Sequence, residues 1–294
     1  DLEALQNLLV ATGVHGHRDW PSSMSGLKAE LEFPRVQPKR NVVLIKRDEL
    51  VAGYGIVEPE KNIGRSVIGL ATGDFDPVMA RNLLDWAINR ASEEAPVVHL
   101  AVREHETDLA DFLEEQGNEW NKGRKYLKLE VASASSLVEA PAVLPDGFTL
   151  RTMLGLDEVP ELTYLQNETF KEHFGYSPNT EDEIRARLLA PNSSVDDIVM
   201  IHDSNEQLVA YCWTESHDQN GSRVGRIGMT GVLPPARKQG LGRAIAEAGF
   251  NHLLRENVVA IELDVDSVNA PAIRIYSSLG FTTHSELNWW ERTV

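Results

Sequence analysis

The order of elements along residues 1–131 recurs along residues 148–291, and this duplication limits the available folds more than any other feature of the chain. Apolar periodicity predicts helices at 1–12 and 24–32, strands at 41–47, 50–58 and 64–72, a helix at 76–92, a strand at 97–103, a helix at 105–116 and a strand at 119–131. The second half opens with a strand at 148–153, helices at 157–170 and 179–189, and strands at 195–203, 206–217 and 223–232. It closes with a helix at 240–256, a strand at 258–265, a helix at 270–279 and a strand at 281–291. The likeness is also local: "LVAGY" at 50–54 parallels "LVAY" at 208–211, and "FLEEQGNEW" at 112–120 parallels "IYSSLGFTT" at 275–283. A period of about 160 residues is too long for a solenoid, so two similar α/β domains are expected. Between them "VASASSLVEAPAVLPDG", 131–147, replaces periodic structure with small residues and prolines. The expected domains are 1–131 and 148–294, joined by a linker at 132–147.

Forty-five acidic residues against 28 basic ones leave a formal charge of −17. That balance argues against nucleic acid or an anionic membrane as a partner and favours small cations. Cys212, the single cysteine, has no partner for an internal disulfide. No apolar run has membrane-spanning length or a signal-peptide layout, so a cytoplasmic protein, monomer or homodimer, is expected. The start at Asp1 without a methionine suggests a trimmed chain. The nine histidines include no His-x-x-x-His pair and none beside the cysteine, so no metal is expected.

The segment "VLPPARKQGLGRAIAEAGFNHLL", 232–254, joins an apolar strand to an amphipathic helix. Pro234 and Pro235 end the strand, and Gly240 and Gly242 bracket the helix start. Glycines there let main-chain N–H groups approach an anion, which the helix dipole also favours. Arg237, Lys238 and Arg243 add cationic side chains suited to phosphate oxygens, and a pyrophosphate is the expected guest. No Gly-Lys-Ser/Thr follows, and the third glycine of a dinucleotide fingerprint is missing, so the NTPase and dehydrogenase readings fall.

Arg237-x-x-Gly240-x-Gly242 after a strand resembles the acyl-coenzyme A signature of the GNAT N-acetyltransferase superfamily. Downstream, "VNAPAIRIYSSLGF" at 268–281 resembles the family's second segment, with Asn269, Tyr276, Gly280 and Phe281 in order. The resemblance implies two tandem GNAT-like domains, each a mixed, mainly antiparallel α/β sheet flanked by helices with splayed central parallel strands. It implies acetyl-coenzyme A as co-substrate. The pantetheine arm would lie along the main chain of Thr230, Gly231 and Val232, and the phosphates on the segment Arg237, Lys238, Gln239, Gly240, Leu241, Gly242 and Arg243. Asn269 would contact the cofactor arm.

The first half lacks this signature. At the matching junction, 69–89, it carries Asp74 and Asp76 where a phosphate needs donors, and Leu113 and Asn118 stand at the positions of Tyr276 and Phe281. A degenerate domain that has kept the fold and lost the cofactor is expected, so that coenzyme A binds the second domain only.

Acyl transfer to an amine needs a base to take the amine's proton and a donor for the departing thiolate. By the resemblance Tyr276 is the donor. In the tandem members this chain most resembles, a glutamate stands where it has Arg226. Glu215 on the neighbouring strand is therefore the preferred base, with Glu262, Asp264 and Asp266, which alternate onto one face, as alternatives. His173 and Tyr176 lie in a loop that borders the acceptor site in such folds. His15, His17 and Trp20 suit the surface more than a pocket. Trp289 and Trp290 are expected to pack, and Cys212 to be a buried small hydrophobe. The expected protein is an acyltransferase acting on a small primary amine; the alternative is a coenzyme A-binding sensor or scaffold without turnover.

Overall fold

A computed structural model of the chain describes residues 2–12, 24–48, 50–73, 75–134, 137, 139, 141–191, 193–219 and 221–294. Two compact units form: residues 1–126 with 285–294, and residues 127–284.

In the first unit helices α1 (Leu2–Thr12), α2 (Met24–Leu31) and the short α3 (Pro38–Asn41) precede strands β1 (Val42–Arg47), β2 (Leu50–Glu60) and β3 (Arg65–Thr72). Then come α4 (Pro77–Ser92), β4 (Val97–Arg103), α5 (Thr107–Glu115) and the start of β5 (Asn121–Ala132). The strands are ordered β1-β2-β3-β4, antiparallel except for the parallel β3–β4 pair. Helix α4 buries Met79, Ala80, Leu83, Leu84, Ala87 and Ala91, the i, i+3, i+4 spacing of one helix face. The last strand, β11 (Thr282–Thr293), sets Leu287–Thr293 antiparallel to β4 and delivers Trp290 to this core. Trp289 lies near His99, ring centroids 6.1 Å apart.

The second unit orders β6 (Thr149–Thr152), β7 (Ile198–His202), β8 (Leu208–Gln219), β9 (Ser222–Val232) and β10 (Ala260–Asp266) in sequence. All neighbours are antiparallel except β9 and β10. Helices α6 (Val159–Phe170) and α8 (Leu241–Arg255) both pack on β8 and β9. A side chain added at Gly231 would strike Thr169 of α6 and Tyr211, while one added at Gly249 of α8 would strike Cys212. Tyr211 and Cys212 are consecutive and point to opposite faces, so α6 and α8 cover opposite faces of the sheet. Helix α7 (Glu181–Leu188) packs against α6, and α9 (Ala270–Ser278) follows β10.

The mixed α/β architecture and nearly every element follow the sequence reading. Differences are local. Residues 156–158 and 195–197 form 3₁₀ turns ahead of α6 and β7, and α3 is a single turn too short to show periodicity.

Candidate active site

The site is built where β9 and β10 part. Their parallel pairing covers only Val224–Arg226 against Ala260–Glu262, yet β9 continues to Val232 and β10 to Asp266. Main-chain groups of both strands beyond Arg226 and Glu262 therefore face an opening. β9 is also irregular here: Trp213 pairs with Met229 and Thr214 with Ile227, so Gly228 is an extra residue and the strand bulges. The bulge inverts the alternation. Arg226 pairs with Glu262 and Asp264, while Thr230 turns to the face of Cys212 and α8.

At the end of β9 the chain passes through Pro234–Ala236 and enters α8 at Gly240, whose φ of 88° lies in the left-handed region that favours glycine. No side chain caps α8. The amide of Arg243 bonds to the Gly240 carbonyl at 3.1 Å; the amides ahead of it lie where a helix supplies no partner, and such a start suits an anion. Helix α4 of the first unit gives the contrast. There Asp76 accepts hydrogen bonds from the amides of Val78 (3.0 Å) and Met79 (3.2 Å). Asp76 also pairs with Arg47 at 3.0 Å, and these hydrogen bonds hold its carboxyl below the usual carboxylate range. The first unit's matching helix start already carries an anion of its own. Asp74, His15, His17 and Trp20 lie outside the described residues.

Two of the cations around Gly240 are engaged within the protein. Arg237 donates to the carbonyls of Val232 (3.2 Å) and Thr169 (3.3 Å), bracing the end of β9 against α6. Arg243 pairs with Glu247 one turn on, at 2.6 Å. Asn269 caps α9, its Oδ1 accepting from the amide of Ala272 at 3.2 Å.

Tyr276 lies in α9, 8% exposed, and its hydroxyl donates to Thr230 Oγ1 at 3.2 Å. Thr230 in turn lies 3.5 Å from the Cys212 sulfur and donates to it. Burial and the neighbouring Cys212 raise the Tyr276 pKa, and the Thr230 contact acts the other way. The hydroxyl is fully protonated at neutral pH. Cys212 is completely buried and its thiol is pushed up to about 12, which suits packing and not nucleophilic chemistry.

The candidate bases are sorted by their partners. Glu262 pairs with Arg226 (3.0 Å) and Lys128 (2.5 Å), and Asp264 with Arg226 (2.6 Å). Asp266 accepts from the amide of Val268 at the turn into α9. Glu215 is exposed, stands opposite Arg226 in the β8–β9 register, and its carboxylate lies 3.5 Å from the position a side chain on Gly228 would take. Thr214 faces α8, so Glu215 takes the other face. Glu215 and Tyr276 thus approach β9 from opposite sides.

On Glu215's side, the loop after α6 carries His173 and Tyr176. Asn167 closes its base by exchanging hydrogen bonds of 2.9 Å with Asn179 in both directions. The His173 ring packs against Phe170 at a tilt, ring centroids 4.7 Å apart and planes at 50°. Burial lowers its pKa below 6.5; Asp266 opposes that shift and Arg237 adds to it. Farther away, Asp197, His252 and Glu256 gather at the last turn of α8, a grouping that a search for histidine pairs passes over. Glu256 there is bound by Arg223 and Ser216.

In the sequence Thr230 is a cofactor residue through its main chain, and nothing there marks its side-chain contact with Tyr276. The Gly228 bulge hides that contact from strand alternation.

Comparison with known proteins agrees with this geometry. The profile of the Acetyltransferase (GNAT) family matches residues 159–281, a span that contains both strands of the parting, α8 and Tyr276. The chain belongs to that family. Among its relatives, a mycothiol acetyltransferase of Thermomonospora curvata is 33% identical over 247 residues, 83% of this chain and 79% of that protein. The mycothiol acetyltransferases of Segniliparus rotundus and Paenarthrobacter aurescens are 31% and 30% identical over 146 and 161 residues, 49% and 54% of this chain. The chain spans about half the length of these two relatives, 55% and 49%. Among solved structures, a tandem GNAT protein from the clavulanic acid biosynthesis pathway superposes with a TM-score of 0.74 at 15% identity, covering 99% of this chain and 94% of that one. A GCN5-related N-acetyltransferase from Sphaerobacter thermophilus gives 0.70 at 20% identity, with 99% and 91% covered. Both are likenesses of fold. No described helix is long and apolar enough to cross a membrane.

Proposed function

We propose that the second unit transfers the acetyl group of acetyl-coenzyme A to a small primary amine, and that coenzyme A binds this unit alone. The observation that carries this reading is the uncapped start of α8 at Gly240, set beside the parting of β9 and β10 with the Tyr276 hydroxyl on one side of it. The amides from Lys238 to Gly242 hold the pyrophosphate, and the main chain of Thr230–Val232 pairs with the amides of the pantetheine arm. The thioester supplies the acyl group. Glu215, from the opposite face of β9, takes a proton from the amine; Tyr276 protonates the leaving sulfur. His173 and Tyr176 border the acceptor, a small primary amine for which cysteinyl-sugar amines, aminoglycosides, polyamines and peptide amino termini are the candidate classes. Overall acidity is compatible with a cationic acceptor.

A second reading, a coenzyme A-binding module without turnover, is favoured by one feature: Arg226 locks Glu262 and Asp264 into ion pairs where the resembling members carry a glutamate. Thiol release from acetyl-coenzyme A in the presence of a cysteinyl glucosaminide, an aminoglycoside, spermidine and a peptide amino terminus separates the two. Amine-dependent release with an acetylated product supports the enzyme. Tight coenzyme A binding with no release supports the module.

A further inference from the structure

We propose that Thr230 is the positioning residue for the proton donor: its hydroxyl holds that of Tyr276 in the resting protein and turns to donate to the tyrosine oxygen as the proton leaves. This rests on the reading of Tyr276 as general acid.

The geometry is a line of three buried or half-buried polar groups, Tyr276 Oη to Thr230 Oγ1 at 3.2 Å and Thr230 Oγ1 to Cys212 Sγ at 3.5 Å. Each end has a defined character. Cys212 is fully buried and backed by α8, where a side chain on Gly249 would sit 2.2 Å from its sulfur. Its protonated sulfur is a weak acceptor, so it holds the threonine proton loosely. Tyr276 is packed edge-on by Phe281, ring centroids 5.6 Å apart. An oxyanion formed on a tyrosine so enclosed is costly unless a donor reaches it. A hydroxyl both accepts and donates, and the Gly228 bulge is what turns Thr230 toward α9. Valine would fill the same volume and do neither.

The step balances. As the amine nitrogen bonds to the acyl carbon, the carbon–sulfur bond breaks and its electron pair goes to sulfur. The Tyr276 O–H bond breaks as the S–H bond forms, leaving the electron pair on the tyrosine oxygen. Thr230 keeps its own O–H bond and only rotates, from Cys212 to Tyr276. The surplus proton of the amine leaves through Glu215 to solvent, and solvent restores the proton on Tyr276.

The test is steady-state kinetics with the amine turned over fastest in the panel above, using Thr230→Val and Thr230→Ser in the full chain and in a Tyr276→Phe background. Losing one neutral hydrogen bond in the transition state lowers kcat by about three- to tenfold. The KM for acetyl-coenzyme A is expected to stay within about twofold, since the strand's amides are unaltered, and serine is expected to restore most of the rate. In the Tyr276→Phe background Thr230→Val is expected to cost less than about twofold, because the residues act as a unit. An equal loss in both backgrounds, no loss at all, or failure of serine to restore the rate overturns the proposal while leaving Tyr276's role intact. A Tyr276→Phe protein as fast as the parent, or no turnover with any amine, removes the general-acid reading and this inference with it. If Thr230→Val does not fold, Thr230→Ala against Thr230→Ser makes the same comparison.

Discussion

Phe281 meets Tyr276 edge-on, their ring planes at 67°, because the chain reverses at Gly280 directly after α9. The amide of Phe281 bonds back to the carbonyl of Tyr276 (3.1 Å) and that of Gly280 to Ser277 (3.1 Å), the two bonds of a Schellman stop closed by an apolar contact. The Tyr-x-x-x-Gly-Phe spelling is thus a helix ending that clamps the proposed donor in place. At the matching point of the first unit, Gly117 also has positive φ, but the next residue is the polar Asn118 and the position of Tyr276 is the buried Leu113.

Gly280→Val tests the clamp. Its φ of 94° costs an L side chain about 1–2 kcal/mol. Melting is expected to shift down, and kcat to fall more than coenzyme A affinity. Unchanged kcat in a destabilised protein would show that Tyr276 does not depend on the stop.

Gly240→Asp tests the seat. It adds a carboxylate at the uncapped start of α8, and two unit charges about 4 Å apart at an effective dielectric of 20 oppose each other by about 4 kcal/mol. Titration calorimetry is expected to show one coenzyme A site per parent chain and a loss of affinity on the order of a hundredfold or more in the variant. Two equivalent sites in the parent would contradict the role given to Asp76.

Tyr276→Phe is expected to leave coenzyme A binding nearly intact and to lower kcat by about 10²–10⁴-fold, the usual contribution of general acid catalysis. Glu215→Gln is expected to lower kcat and to leave coenzyme A binding nearly intact. If kcat does not move, another carboxylate or a water chain carries the amine's proton.

Acid sensitivity of the first unit should centre on Glu94. Hydrogen bonds from Lys61 and then Arg90 depress its pKa from 4.5 to about 2. A carboxylate with a depressed folded-state pKa contributes stability that is present above 4.5 and lost as pH falls toward about 2. Glu94→Gln is expected to melt lower than the parent near neutrality and to flatten the decline across that window. Parallel curves for the two proteins would remove Glu94 as the cause.

Much of the fold was legible because its signals are local. Apolar period, the proline-glycine junction before α8 and the helix stop after Tyr276 are each contained in a few consecutive residues. The site was less so, because its logic depends on partners distant in the chain. Glu262 and Asp264 look like free carboxylates until Arg226 and Lys128 are placed beside them. Arg237 reads as a phosphate ligand, yet its guanidinium binds the carbonyls of Val232 and Thr169. Asn269 reads as a cofactor contact and uses its side-chain oxygen to cap its own helix. In the sequence Asp76 stands where a phosphate needs donors; the structure adds that its carboxylate occupies the helix start itself.

The pairing of β11 with β4 bears on the order of events at the ribosome. Leu287–Thr293 complete the sheet of the first unit beside Val97–Arg103, and the entire second unit is encoded between them. While that intervening stretch is being translated, β4 has no partner on that side and the place of Trp290 in the core is vacant. Contacts of such sequence separation close late and slowly. The amino-terminal half therefore waits for the carboxy-terminal residues before its native state exists, and an open strand edge during that interval is where nascent chains of this kind are most exposed to misassembly.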